Sequence, residues 1–77
     1  MTKVLIYTTP ACIYCQMAKK FFKDHSVAYE EKDVSVDDEA REEVVAKSGQ
    51  LGVPVVDIDD KIIVGFDEAA IKELLKL

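Results

Sequence analysis

Cysteine occurs twice in this chain, at positions 12 and 15, and the pair sits where an apolar run gives way to a helix-spaced one. No other feature constrains the fold as much. Ahead of the pair, Lys3-Val4-Leu5-Ile6-Tyr7 is short, β-branched and apolar, the pattern of a buried strand. Thr8-Thr9-Pro10-Ala11 breaks that run, and Pro10, which lacks an N–H, suits a turn or a first helical turn. Behind the pair, Gln16 to Asp24 predicts an amphipathic helix. Tyr14, Met17, Ala18, Phe21, Phe22 and His25 mark one face, and Gln16, Lys19, Lys20 and Lys23 fill much of the other.

Two thiols at this spacing can close only a small disulfide ring. Stabilisation by a cross-link grows with the loop it closes, so a purely structural staple is a poor account of the pair. A closed tetrahedral zinc site needs four ligands, and beyond the thiols the chain offers His25 and scattered carboxylates. A metal or iron–sulfur cluster shared between two subunits would use the same two cysteines and stays open as the alternative function. The leading reading is a reversible dithiol/disulfide centre.

The attacking species in disulfide exchange is the thiolate, which the unpaired N–H groups of a helix N-terminus favour. Cys12, at the edge of the helix, is therefore expected to attack. Cys15, one turn inside and more covered, is expected to resolve the mixed disulfide. His25 falls at the far end of the helix, and ten helical residues span about 15 Å. It reads as a C-terminal helix residue, not a base for the thiols.

The remaining segments complete an α/β order. Ser26 to Asp33 predicts a second strand whose charged tail suits a sheet edge. Ser35-Val36-Asp37-Asp38 has the pattern of a capping box, opening a helix to about Lys47 with Ala40, Val44, Val45 and Ser48 inward and Gly49 as C-cap. Val53 to Ile58 and Lys61 to Val64 predict two strands joined by a tight Asp59-Asp60 turn. Asp67 can cap a last helix whose Ala70, Ile71, Leu74 and Leu75 form an apolar stripe. The order is β-α-β-α-β-β-α, with a right-handed parallel βαβ first and an antiparallel pair of strands last.

At 77 residues the chain is expected to form one domain, residues 1–77. The formal net charge of −5 and the absence of aromatics among exposed basic residues argue against nucleic acid as a partner. The N-terminus has no signal-peptide pattern, and no apolar run is long enough to span a bilayer. The expectation is a cytoplasmic protein that does not engage membranes, a setting that suits thiols cycling with a disulfide.

Tyr7-Thr8-Thr9-Pro10-Ala11-Cys12-Ile13-Tyr14-Cys15, then Gly52-Val53-Pro54 and Val64-Gly65-Phe66-Asp67, resemble the glutaredoxin family. The likeness is to its small glutaredoxin-like and NrdH-redoxin members and runs over essentially the whole chain. It implies a thioredoxin-like fold, with a four-stranded mixed sheet flanked by three helices and a cis Val53–Pro54 peptide facing the cysteines. It also implies thiol–disulfide oxidoreductase activity without a tightly bound cofactor. Disulfide-containing proteins are the expected substrates, ribonucleotide reductase among them, with glutathione or an NADPH-linked thioredoxin reductase as electron donor. The Val53 backbone would pair with a substrate backbone. Gly65 would allow close approach, and the amides of Phe66 and Asp67 would bind a carboxylate. With Thr9, Tyr14 and Pro54, these residues are expected to line the groove for substrate or glutathione. The chain departs from the family at Thr9, where a lysine is common, at Ile13, where a proline is usual, and at Val64, in place of a glycine. It is expected to act as a monomer.

Overall fold

The computed structural model describes residues 3–50 and 52–76. Its elements run β1 (Val4–Thr8), α1 (Ile13–Asp24), β2 (Glu30–Asp33), α2 (Asp38–Ser48), β3 (Val55–Ile58), β4 (Lys61–Val64) and α3 (Glu68–Leu75). The order matches the sequence expectation. The four strands form one sheet ordered β2-β1-β3-β4. β1 pairs with β2 in parallel, whereas β1 with β3 and β3 with β4 are antiparallel.

Side chains alternate across a strand, and that alternation divides the core in two. Val4, Ile6, Val56, Ile58 and Ile63 pack with Ala18, Phe21 and Phe22 of α1 and Ile71 of α3. Leu5, Tyr7 and Val55 face the other way, against Val34 and against Ala40 and Val44 of α2. Helices α1 and α3 thus cover one face of the sheet and α2 covers the other.

The α2 face contains a buried polar cluster. Asp57, only 6% exposed, belongs to a strand in which every residue is buried. Lys47 of α2 reaches it at 2.7 Å and also donates to the Tyr7 hydroxyl at 2.9 Å. Asp57 further accepts the Asp60 amide at 2.8 Å, which ties down the β3–β4 turn. Asp59 and Asp60 both take positive φ, 50° and 72°, as a two-residue hairpin of this hand demands.

Several boundaries and faces differ from expectation for identifiable reasons. β2 starts at Glu30 rather than Ser26, because Ser26 takes φ 56° and the Val27 amide turns back to the Phe22 carbonyl. Asp37, not Ser35, caps α2 by accepting the Ala40 amide, since Asp33 engages both the amide and the hydroxyl of Ser35. β3 begins after Pro54, which has no N–H to give. Val45, expected inward, is 43% exposed, because the stripe of α2 that meets the sheet is Ala40 and Val44. Tyr14 and Met17 of α1 are likewise exposed, leaving Ala18, Phe21 and Phe22 as its inner face.

Candidate active site

Helix α1 opens three residues earlier than its polar pattern predicts, at Ile13, and the cap explains why. Cys12 has the extended φ of −88° and ψ of 113° of an N-cap residue. Its Sγ accepts the Cys15 amide at 3.1 Å, in the place where a serine or aspartate oxygen would ordinarily sit. The Cys12 amide is held in turn by the Thr9 carbonyl at 3.2 Å. Both cysteines are free thiols.

Their surroundings are unequal. Cys12 is partly exposed and its thiol faces the Val53 carbonyl at 3.9 Å. Cys15 has no exposed surface. Burial, reinforced by hydrogen bonding to the Cys12 side chain, pushes its thiol up to about 12. A backbone hydrogen bond at Thr9 and the charge of Lys19 pull the other way without overcoming it.

Across from Cys12, the Val53–Pro54 peptide is cis. The Pro54 carbonyl accepts the Gly65 amide at 2.8 Å, which fixes the end of β4 beside it. Gly65 takes φ 83°, and a Cβ added there would meet nothing within 4 Å. Backbone conformation, not crowding, is what asks for glycine here, and the space above it is open. Phe66 packs its ring edge on Phe21 at 5.9 Å. The Asp67 carboxylate accepts the Ala70 amide at 3.1 Å as the N-cap of α3.

Of the residues singled out in the sequence, Thr9, Cys12, Cys15 and Val53 are joined by direct contacts, and Pro54 and Gly65 continue that line. Tyr14 lies between the two cysteines in the first turn of α1 and is 62% exposed. His25 terminates α1, its ring 4.3 Å from that of Phe21. The sequence reading missed a cluster formed by Thr8, Lys19 and Glu31. Glu31 accepts the Thr8 hydroxyl at 2.6 Å and the Lys19 ammonium at 2.9 Å. Its members lie on β1, α1 and β2, so no local pattern in the sequence signals it. Among the described residues, no three His, Cys, Asp or Glu side chains converge as a metal site would require.

A sheet ordered β2-β1-β3-β4 with helices on both faces, and paired thiols at the start of α1, defines a thioredoxin-like fold with a CxxC site. Solved structures agree: a mutant of the thioredoxin-like protein BC3987 superposes with a TM-score of 0.91 at 36% identity, covering 99% of this chain and 97% of that one. The glutaredoxin family model matches residues 4–63, so the chain belongs to the glutaredoxin family, whose members are thiol–disulfide oxidoreductases. An uncharacterized glutaredoxin-like 8.6 kDa protein in the rubredoxin operon of Clostridium pasteurianum is 40% identical over 95% of this chain and 97% of its own length. The glutaredoxin-like protein NrdH of Lactococcus lactis is 30% identical over 92% of this chain and 97% of its own.

Proposed function

We propose that the chain reduces protein disulfides by a dithiol mechanism, with Cys12 as nucleophile and Cys15 as resolving thiol. The observation that carries this reading is the asymmetry of the pair. Cys12 is partly open and receives the Cys15 amide, whereas Cys15 is sealed and holds its proton. An incoming disulfide therefore meets Cys12 first. The Cys15 amide is already aimed at the sulfur that must attack.

The Val53 backbone, Pro54, Gly65, Phe66 and Asp67 are the proposed wall of the substrate groove, with Thr9 and Tyr14 at its margin. The open space over Gly65 and the N-terminus of α3 support a substrate backbone and carboxylate there. Electrons come from glutathione or from an NADPH-linked thioredoxin reductase, and no tightly bound cofactor is required. The clients are disulfide-bearing proteins, ribonucleotide reductase being one to try. The proposed setting is the cytoplasm, with residues 1–77 acting as one monomeric domain. Among the described residues no helix is long and apolar enough to cross a membrane.

Reduction of insulin with each donor system tests the proposal. Cys12→Ser should abolish turnover, and Cys15→Ser should accumulate a mixed disulfide detectable by mass. Full activity in Cys12→Ser would refute the mechanism. Activity with glutathione despite Thr9 would assign the donor to that peptide.

A further inference from the structure

Lys19 lies one helical turn beyond Cys15, and helix residues four apart share a face. Its ammonium is anchored: Glu31 accepts it at 2.9 Å. Glu31 is anchored in turn, because the same oxygen accepts the hydroxyl of Thr8, a residue 1% exposed at the end of β1. The β1–β2 ladder sets Glu31 opposite Ile6, so backbone pairing reinforces that placement. Three elements, β1, β2 and α1, thus converge to hold one cation near a thiol with no solvent access.

The charges around this thiol are few. Cys12 opposes ionisation of Cys15, while Lys19 favours it. Around Lys19 stand Glu31 and Tyr29, and Asp33 faces Glu31. Lys19 is the cation in that set. A sealed thiol must nonetheless become a nucleophile in the second half of a dithiol reaction, where loss of its proton is the costly event.

We propose that Lys19 is a positioning residue for the resolving step, held by Glu31 so that its ammonium steadies the negative charge on Cys15 as it attacks. The inference rests on the dithiol reading given above. In this step Cys15 gives up its proton and its sulfur forms a bond to Cys12 Sγ. The bond between Cys12 and the substrate sulfur breaks, and its electron pair leaves on the substrate thiolate, which takes up a proton. Over both steps the dithiol is oxidised by two electrons and the substrate disulfide is reduced by two.

An aryl disulfide with a coloured leaving thiolate separates the two halves by rapid mixing. The first thiolate reports capture by Cys12 and the second reports resolution by Cys15. In Lys19→Met, the rate of the second release relative to the first should fall about threefold to tenfold at neutral pH, and its pH–rate limb should move to higher pH. Lys19→Arg should restore both. Lys19→Met with Glu31→Gln, which removes the carboxylate left without its partner, should remain slow. An unchanged ratio and pH limb in Lys19→Met, or full recovery in the double variant, would overturn the role of Lys19. Release of only one thiolate by the unmutated protein would overturn the dithiol reading itself, a result visible before any variant is made.

Discussion

Cys15 has no exposed surface although Cys12, one helical turn before it and hydrogen-bonded to its amide, is partly open. Access and ionisation therefore point the same way. The Cys15 thiol, pushed up to about 12, keeps its proton through neutral and mildly alkaline pH. Reduced protein treated with iodoacetamide at neutral pH should gain one adduct, mapped by peptide mass to Cys12. Cys15 should react only after unfolding. Equal labelling of the two cysteines would contradict the asymmetry on which the mechanism depends.

Lys47→Met should destabilise the fold by about 2 kcal/mol in urea unfolding, because it leaves the Asp57 carboxylate buried without its cation and removes a donor from Tyr7. Adding Asp57→Val should recover most of the loss, as a buried pair replaced by apolar groups is often neutral. Burial draws the Lys47 ammonium down, but hydrogen bonds to Asp57 and Tyr7 outweigh it and leave it above the ordinary lysine range. A lysine raised on folding contributes stability that is full below its unfolded value and fades as pH rises through its folded one. The unmutated protein should therefore lose stability at strongly alkaline pH along a limb that Lys47→Met lacks.

Acid should act through Glu31. Hydrogen bonds from Thr8 and then Lys19 hold its carboxyl below the usual carboxylate range, against the opposing pull of burial. A carboxylate lowered on folding stabilises above its unfolded value and ceases to as pH falls through its folded one. Glu31→Gln should flatten that part of the acid limb. Its cost at neutral pH should stay under about 1 kcal/mol, since the side chain is over one-third exposed. Unfolding midpoints measured across the acid range would decide it.

Removal of the α2 cap gives a separate reading of local stability. Asp37→Ala deletes the acceptor of the Ala40 amide, 3.1 Å away, and should cost about 1 kcal/mol in denaturant unfolding. A loss within a few tenths of zero would mean that water caps this end equally well.

How much of this could be read from the residues alone varies with the physics involved. Strand β4 and the Asp59-Asp60 hairpin were legible because turn chemistry is local, and the apolar stripe of α3 because it repeats with the helix. The pairing of the two thiols at a strand–helix junction was legible from their spacing. The amphipathic run pointed only to Gln16, yet Cys12 was placed at the helix edge; that its sulfur is itself the N-cap acceptor was not legible, because sulfur is outside the usual ranking of capping side chains. Ser35 was misassigned because Asp33 competes for it two residues away. The Lys47–Asp57–Tyr7 and Thr8–Glu31–Lys19 clusters each join elements distant in sequence, so no window along the chain contains them.

The sulfur that begins α1 is also the sulfur proposed to react. When it enters a disulfide it becomes a weaker acceptor, so the first turn of the helix is held differently in the two oxidation states. Folding and electron transfer then close one thermodynamic cycle. The gap in unfolding free energy between dithiol and disulfide protein equals the displacement of its potential from that of the unfolded chain, with about 1.4 kcal/mol for each 30 mV. A calorimeter comparing the two states is in this sense an electrode, and any substitution that strengthens or weakens the turn at Cys12 retunes the couple.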